Sequence, residues 1–382
     1  MLQSPTSSRS LARAAERIEA VCDERPRTQQ LIERVGAEIR AAVCADALFI
    51  AATDPDTMLA YGAGMAWGLP DTVCAPFWAL EFEVPDYNKF SDLARSRTQV
   101  ADLHAATGGR PERSARWREL RSLMDVGAEL RATFNAGGRS WGLLHAGRAD
   151  TRGGFDAGEI AFMETVAPAV GRALRASLVS DPADPAVGRG PGMLILDAGA
   201  QIVSATSEAV EWLGELQSVR HVTDARLGVP VPSEVFIAAH EARARAAALD
   251  GCIEATRMRA RTRGGAWLLI HASALRGPDG AIGDTAVVIE PAKASEVAPL
   301  IVEAYGLTPR EVEVTCAAAR GLTTPEIAKR LHLSRYTVQD HLKAVYEKVG
   351  VSSRGELVAK MFADHYHDGL KAAVGTAVAA AA

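Results

Sequence analysis

The chain has 382 residues, of which 48% are hydrophobic and 23% are charged, and its formal net charge is −5. This length corresponds to two or three domains that each bury a core, and the composition excludes disordered, collagen-like and disulfide-scaffold proteins. Apolar runs such as Met193–Leu196 are far shorter than the roughly 18 residues of a membrane-spanning helix, and the N-terminal residues contain no apolar signal core, so we expect a soluble, cytoplasmic protein.

Two breaks in the pattern divide the chain into three parts. Ser180–Gly192 holds three prolines and three glycines and is typical of a linker. A shorter break lies at Glu290–Ala298, and the alanine-rich tail after Asp368 is expected to be frayed. The predicted domains are residues 25–179, 190–292 and 300–366.

The first predicted domain combines helices with antiparallel strands. We predict helices at Gln29–Ala42 and Asp156–Ala176 and strands at Ala47–Ala52, Glu129–Asn135 and Ser140–Gly147. The last two strands flank a Gly-Gly turn and form a hairpin. This order resembles a GAF domain, and the strand from Ser140 followed by Phe155 and Glu159 is similar to that family's last strand and helix entry. The resemblance implies a sensor domain.

The second predicted domain has two strands, two helical stretches and then three strands. The strands are predicted at Met193–Leu196, Gln201–Ser204, Glu254–Arg263, Ala266–Leu275 and Asp284–Ile289. This pattern resembles a PAS domain, in which an asparagine usually follows the second strand. Thr206 stands at that position here.

The third predicted domain is marked by helix-capping residues. Thr308, with Pro309 next and Glu311 three positions later, predicts a capping box at the start of a helix that ends near Gly321. Thr324 with Pro325 is expected to cap a second helix. Ser334 is expected to begin a third helix and Gly350 to end it. Ser353 with Glu356 is expected to begin a fourth helix. Four short helices with tight turns are predicted.

The third helix of this domain has two contrasting faces. Val338, Leu342, Val345 and Val349 form a buried stripe, whereas Arg335, Gln339 and Lys343 lie on the opposite side, beside Tyr336 and Asp340. A helix fits the major groove of B-DNA, where Arg, Lys and Gln donate hydrogen bonds to base edges. His332 stands in the preceding turn and tolerates a left-handed backbone. The segment from Thr324 to Lys343 is therefore predicted to be a helix-turn-helix.

The motifs of this domain closely resemble the LuxR/NarL-type DNA-binding domain. The matching residues are Leu307-Thr308-Pro309-Arg310-Glu311, Gly321, Glu326-Ile327-Ala328, Leu331, Ser334, Thr337-Val338, His341, Lys348, Gly350-Val351 and Ser353-Arg354. Thr315 departs from the family by replacing a usual leucine. The resemblance implies double-stranded DNA as the partner, with Gln339, Asp340 and Lys343 at base edges. It places Thr324, Lys329, Arg335, Thr337, Lys348 and Arg354 at the phosphate backbone.

Two alternatives to a DNA-binding regulator remain open. The segment from Leu300 to Tyr366 has nine basic and eight acidic residues, a weak charge for a domain that neutralises phosphates. The chain could thus be a signalling scaffold whose C-terminal helices dock a protein partner. Region 4 of a sigma factor has a similar fold, but no promoter-melting region accompanies it here.

Aromatic residues are concentrated between Tyr61 and Phe90, and such side chains often line small-molecule pockets. The candidate ligand pocket is Tyr61, Trp67, Trp78 and Phe82, and the alternative is that these rings simply fill the core. The five cysteines are Cys22, Cys44, Cys74, Cys252 and Cys316. They form no C-x-x-C pair and no zinc-ligand spacing, so we expect no metal and no cofactor.

The fold class predicted from these patterns is α+β, with GAF-like and PAS-like antiparallel-sheet sensor domains before an all-α LuxR-type domain of four helices. No phosphate-binding loop or catalytic constellation stands out, and we expect no enzyme activity. The prediction is a one-component bacterial transcription regulator, with RNA polymerase as a candidate partner. Homodimers are expected to form through Leu11–Ala20, Gln29–Ala42 and Asp156–Ala176.

Overall fold

A computed structural model describes residues 8–180, 189–248, 255–358 and 360. The chain divides into two compact units, Met1–Pro291 and Ala292–Ala382. Most of the linker predicted at Ser180–Gly192, and the tail after Asp368, lie outside the described residues. The boundaries of the three predicted domains stay predictions.

The first unit begins with a five-stranded antiparallel sheet and its helices. The elements are α1 (Ser8–Asp23), α2 (Thr28–Ala42), β1 (Ala47–Thr53), β2 (Ala60–Trp67), α3 (Cys74–Phe82), α4 (Phe90–Arg95), β3 (Val100–Asp102), α5 (Leu103–Ala106), α6 (Ala115–Arg121), β4 (Ala128–Ala136), β5 (Arg139–Arg148) and α7 (Ala157–Ser180). The strand order is β2-β1-β5-β4-β3. The hairpin β4–β5 and both long helices α2 and α7 confirm the elements predicted here, whereas the short helices α4 to α6 were not predicted.

The N-terminal helix uses its apolar side within its own chain. Leu11, Ala14, Ile18 and Val21 recur every three or four residues and are buried, because α1 packs on α7 and α2. The apolar side of the helix predicted as a dimer contact at Leu11–Ala20 is therefore packed within the chain. Dimerisation through these helices stays a prediction.

A second five-stranded sheet completes the first unit. Its elements are β6 (Gly192–Leu196), β7 (Ile202–Ala205), α8 (Ser207–Glu215), β8 (His221–Thr223), β9 (Pro230–Pro232), α9 (Ser233–Ala248), β10 (Thr256–Arg261), β11 (Trp267–Arg276) and β12 (Ile282–Pro291). The order is β10-β11-β12-β6-β7, with β8 and β9 forming a separate hairpin. When the strands are numbered within each sheet, both sheets read 2-1-5-4-3. Thr206 caps α8 by accepting a hydrogen bond from the Ala209 N–H.

The two sheet-bearing halves of the first unit pack closely. Arg259 of the second half forms an ion pair of 2.6 Å with Asp54, which is buried in the first half. Glycines of β2 allow this approach, since a Cβ at Gly64 would lie 2.2 Å from Val219 Cγ2 and one at Gly62 2.4 Å from the Gln217 carbonyl oxygen. One hydrophobic core therefore runs through both halves.

The second unit contains helices. They are α10 (Ala294–Ala304), α11 (Pro309–Ala319), α12 (Thr324–Leu331) and α13 (Arg335–Val349), and residues 354–358 are also helical. The Thr308–Glu311 capping box, the Ser334 cap and the left-handed Gly350 confirm the predicted helix ends. Helix α10 was not predicted, because Glu290–Ala298 was interpreted as a break. Mixed helices and antiparallel sheets followed by a helical domain establish the α+β fold class.

The predicted cap of α12 is wrong by one residue. Thr323, not Thr324, is the N-cap, because Glu326 lies three positions after Thr323 and accepts from its backbone N–H at 2.7 Å. Thr324 is the first helical residue.

Candidate nucleic-acid interface

The turn between α12 and α13 is built by a few local interactions. His332 ends α12 with φ of 53°, the left-handed conformation expected for it. The Leu333 N–H then donates to the Ala328 carbonyl at 2.9 Å, and the Ser334 hydroxyl caps α13 by accepting from the Thr337 N–H at 3.0 Å. These contacts fix the angle at which α13 leaves the turn.

Helix α13 is divided into a buried and an exposed face. Val338 and Leu342 are buried against α11 and α12, and Val345 and Val349 are buried with Leu357, which confirms the predicted stripe. The opposite face carries the exposed side chains Arg335, Tyr336, Gln339, Asp340 and Lys343. Among the described residues, none of these five has a side-chain hydrogen bond or ion pair within the protein. This face is free to contact a partner.

The dimensions and donors of this face suit DNA. Helix α13 has 15 residues, which makes it about 22 Å long, and the major groove of B-DNA admits a helix. Arg335, Gln339 and Lys343 supply hydrogen-bond donors, and Asp340 supplies an acceptor. Lys329 on α12 is also exposed, so cations lie on both helices of the turn.

Lys348 and Arg354, two of the predicted phosphate contacts, are engaged within the domain. The Lys348 Nζ donates to Glu311 Oε2 at 2.6 Å and to the Gly306 carbonyl at 3.3 Å. Arg354 Nη2 donates to the Ala318 carbonyl at 2.8 Å and to the Leu322 carbonyl. Both side chains therefore stabilise the ends of α11, and a phosphate would have to use their remaining donors.

The carboxyl group beneath Lys348 is held in its ionised form. Burial alone would raise the pKa of Glu311, but the hydrogen bonds from Lys348 and the Thr308 N–H outweigh burial and lower it. The ion pair and the capping box thus share one carboxylate.

The two threonines predicted at the phosphate backbone lie at helix starts. Thr324 is half-buried in the first turn of α12, where free backbone N–H groups favour anions. The Thr337 hydroxyl lies 2.8 Å from the Ser334 hydroxyl. Tyr336 was not assigned a role, yet its side chain is 81% exposed. Its position three residues before Gln339 on the same face was the signal that could have identified it.

The four aromatic residues predicted as a ligand pocket do not come together, which corrects that prediction. Tyr61 is buried 5.7 Å from Trp267, whereas Trp67 is 53% exposed beneath Arg40 of α2. Trp78 lines a cavity, and the ring of Phe82 stacks on the ring of Trp78 with centroids 5.8 Å apart. Trp67 lies apart from the cavity because side chains alternate along a strand.

Successive residues of β2 face opposite sides of the sheet. Met65 and Trp67 face α2, since a Cβ on Gly36 of α2 would lie 2.6 Å from the Met65 methyl. Ala66, between them, faces the cavity instead.

Buried ionic side chains in the first half of the first unit, on α3, α6 and β4, were missed by sequence reasoning. Arg116 and Arg131 are fully buried, and Arg116 pairs with Glu129 at 2.6 Å while Arg131 pairs with Glu81 at 2.6 Å. Burial alone would raise the pKa of Glu129, but the two guanidinium groups outweigh it and hold that pKa well below its usual range. His145 lies beside them, and burial lowers its pKa to about 3, so it is neutral at pH 7.

Two further properties concern the described ranges alone. Nowhere in them do three or more His, Cys, Asp or Glu residues meet as a metal site. No helix within these ranges has the length and apolar character needed to cross a membrane.

Comparison with known proteins identifies the helical domain. Residues 306–361 match the family described as bacterial regulatory proteins, luxR family. The probable transcriptional regulatory protein SgaR of Hyphomicrobium methylovorum is 51% identical over 53 residues, which is 14% of this chain and 25% of that protein. The probable HTH-type transcriptional regulator GfsR of Streptomyces halstedii is 31% identical over 97 residues, covering 24% of this chain and 38% of GfsR.

The matched regions are short relative to whole proteins. The chain thus spans between a quarter and two fifths of the length of these two relatives. Among solved structures, the GAF domain of a phosphoenolpyruvate-protein phosphotransferase from Coxiella burnetii is 19% identical and covers 43% of this chain and 92% of that one, with a TM-score of 0.29.

Proposed function

We propose that the chain is a one-component transcription regulator that binds specific double-stranded DNA, since residues 306–361 match the luxR family of bacterial regulatory proteins. Helix α13 enters the major groove with its exposed face towards the base edges. The observation that carries this proposal is that face, with five exposed polar or aromatic side chains that no described residue of the protein binds.

Each predicted site residue takes a role from its position. Gln339, Asp340 and Lys343 lie at the middle of the exposed face and read base edges. The backbone contacts are Thr324, Lys329, Arg335 and Thr337, with Lys348 and Arg354 contributing only the donors that α11 leaves unused.

The remaining parts of the proposal concern assembly and control. The regulator binds as a homodimer, which places the two recognition helices about 34 Å apart on successive turns of DNA. It works in the cytoplasm without enzyme activity and contacts RNA polymerase from the bound site. The first unit senses a small molecule and controls DNA binding.

Selection of genomic DNA tests the proposal. The purified full chain is mixed with fragmented genomic DNA at two salt concentrations, and the retained fragments are sequenced. We expect a recurring two-fold site with half-sites one helical turn apart. Retention that is equal for all sequences and disappears at the higher salt would contradict specific binding. Absence of any retention would favour the scaffold alternative.

A further inference from the structure

A buried carboxyl group lies at the contact between the two halves of the first unit. Helix α3 of the first half packs along α9 of the second half, and Glu234 in the first turn of α9 is fully buried. We propose that this contact responds to protons: it is closed while Glu234 is protonated and opens when Glu234 ionises. Only the regulatory meaning of this contact rests on the proposed function.

The surroundings of Glu234 contain hydrogen-bonding groups but no counter-charge. The Ser233 hydroxyl donates to Glu234 Oε2 at 3.3 Å, whereas Oε1 has no hydrogen-bond partner among the described residues. The groups that act on this carboxyl are the Ser218 and Ser233 hydroxyls, the Val219 N–H and the N–H of Glu234 itself, and none of them is charged. An ionised Glu234 would therefore be a buried charge without compensation, which is costly.

These neutral surroundings favour the protonated form of Glu234. Burial raises the pKa of Glu234 to about 7, because it outweighs the hydrogen bonds that oppose it. Asp54, a second buried carboxyl group between the halves, differs in having a cation: burial raises its pKa as well, but Arg259 opposes this effect from 2.6 Å. Glu234 therefore changes its charge near neutral pH while it lies inside the contact.

The first half and the segment before α9 bring three ionisable groups to this end of the contact. Cys74, the first residue of α3, is buried, and the pKa of its thiol is raised to about 12, first by burial and then by the charge of Glu234. Arg220 and Asp71 also act on this thiol, but they lie 3.2 Å apart and balance each other. No net positive charge is left for Glu234.

The strands packed against α9 turn apolar residues towards it. The charged residues of β10 and β12 and the histidine of β11 lie at the alternate positions, on the opposite side of the sheet. They are Arg257, Arg259, Arg261, His271, Asp284 and Glu290. Arg276 of β11 donates to the Ala246 carbonyl at the far end of α9, at 2.7 Å. Strands β2 and β9 carry no charged residue, and Tyr61 of β2 lies against Trp267.

The other end of the contact has a second titratable pair. His240 Nδ1 of α9 lies 2.5 Å from Glu83 Oε1, directly after α3, and Arg243 Nε lies 3.6 Å from the same oxygen. Burial alone would raise the pKa of Glu83, but His240 and Arg243 outweigh burial and lower it. Protonation of His240 turns its hydrogen bond into a charge-assisted one, which is stronger. Protons thus favour the closed contact at both ends.

The size of the effect follows from the two environments of Glu234. Its pKa is about 7 in the closed contact and returns towards the usual 4.5 once opening exposes the side chain to water. Below the lower value both states are protonated, and between the two values opening releases a proton and becomes more favourable as pH rises. The equilibrium constant for opening should therefore rise about tenfold from pH 6 to pH 8 and then stay level.

Modification of Cys74 measures the opening, because its buried thiol lies on α3 beside Glu234. The full chain without DNA is treated with iodoacetamide between pH 6 and pH 9, and peptide mass spectrometry follows each cysteine. Each rate is divided by the rate of the Glu234→Gln variant at the same pH. Glutamine has the shape of the protonated side chain and does not ionise, and the division cancels the pH dependence of the thiol itself. We expect the ratio for Cys74 to rise about tenfold from pH 6 to pH 8.

Two controls assign the rise to this contact. Cys22 on α1 is modified in the same samples, and its ratio should not change with pH, because opening of the contact leaves α1 folded. Glu164→Gln makes the same change at an exposed position of α7 and should behave like wild type. If circular dichroism shows that Glu234→Gln is unfolded, Glu234→Met, which also lacks an ionisable group, carries the same test.

Three results would overturn the proposal. They are a Cys74 ratio that does not change with pH, an equal rise for Cys22 and Cys74, which would indicate global unfolding, and no modification of Cys74 at pH 9 while the exposed Cys316 reacts. Because no DNA is present, these results leave the proposed DNA-binding function to its own test. If the contact controls DNA binding, affinity for the selected site should change between pH 6 and pH 8 in wild type and stay constant in Glu234→Gln, and equal profiles would contradict that control.

Discussion

Two pairs of cationic side chains, one pair in each unit, differ in burial and pairing. In the first unit, Arg116 and Arg131 are fully buried and paired with carboxylates. In the helical unit, Arg335 and Lys343 lie on the exposed face of α13, with no partner among the described residues. A buried, paired cation affects stability, because removing it leaves an uncompensated charge. An exposed and unpaired cation contributes little to folding and is available to a partner.

The largest expected effect comes from breaking the buried ion pairs. Arg131→Ala leaves Glu81 and Glu129 buried without this cation, which should lower the free energy of unfolding of the first unit by about 3–5 kcal/mol. Chemical denaturation measures it. The control Arg95→Ala removes an arginine whose side chain is 80% exposed, and it should change stability by less than about 0.5 kcal/mol. Equal effects of the two variants would contradict the contrast between buried and exposed cations.

Removal of Lys343 should affect DNA binding and leave folding unchanged. Lys343→Ala should weaken specific binding by about 1–3 kcal/mol and relax the preference at one base position. Fluorescence anisotropy with the selected site and single-base variants of it measures both quantities. Lys293→Ala removes an exposed lysine from the start of α10, and binding should not change. An equal loss of DNA affinity in both variants would mean that binding depends on net charge alone and not on the position of Lys343.

Lys348 tests whether a cation on α13 can stabilise the fold, as the buried arginines of the first unit do. Lys348→Ala breaks the contact with buried Glu311 and should destabilise the helical unit by about 1–3 kcal/mol. Because the proposed function also places the remaining donor of Lys348 at a phosphate, the slope of log affinity against log salt should fall by about one unit. An unaltered stability would contradict the structural role of Lys348, and an unaltered slope would contradict its phosphate contact.

The Lys348–Glu311 contact also predicts a pH dependence. The pKa of Glu311 is lowered in the folded state, so its contribution to stability is present above the pKa of the unfolded chain and is lost as pH falls through the folded value. Unfolding of the helical unit measured below pH 5 should therefore show a loss that Glu311→Gln lacks. Parallel pH profiles of wild type and variant would contradict this role.

The smallest expected effect belongs to Tyr336. Its side chain is 81% exposed at the start of α13, so Tyr336→Ala should leave stability within about 0.5 kcal/mol of wild type. DNA affinity should fall by about 1 kcal/mol, as expected for one aromatic contact at the edge of an interface. Tyr336→Phe keeps the ring and should retain most of the affinity, and a stability loss in either variant would argue against a free side chain.

The two units also differ in how much of them could be predicted from the sequence. The helical unit depends on local signals, because the partners in each cap lie within a few residues, as for Thr308 with Glu311 and Ser334 with Thr337. The buried stripe of α13 follows from the helical repeat alone. The contact of Lys348 with Glu311 spans 37 residues, and no local pattern indicates it.

The first unit depends on pairs that are distant in sequence. Most strands and the long helices α2 and α7 were predicted from periodicity, but the ion pair of Arg131 with Glu81 joins residues 50 positions apart. The grouping of four aromatic residues into one pocket was wrong because it ignored the alternation of β2, which sends Trp67 towards α2 and Ala66 towards the cavity. The spacing of residues along the chain could not predict that the two sheet-bearing halves of the first unit pack against each other.

Selection of binding sites from a random DNA library, with wild type and Gln339→Ala in parallel, tests most directly whether the exposed face of α13 reads DNA. The Gln339 side chain is exposed and makes no hydrogen bond or ion pair with a described residue, so the variant should fold with unchanged stability. We predict a two-fold consensus for wild type and the loss of preference at one position in each half-site for the variant. An identical consensus and affinity for the two proteins would contradict the assignment of this face to base recognition.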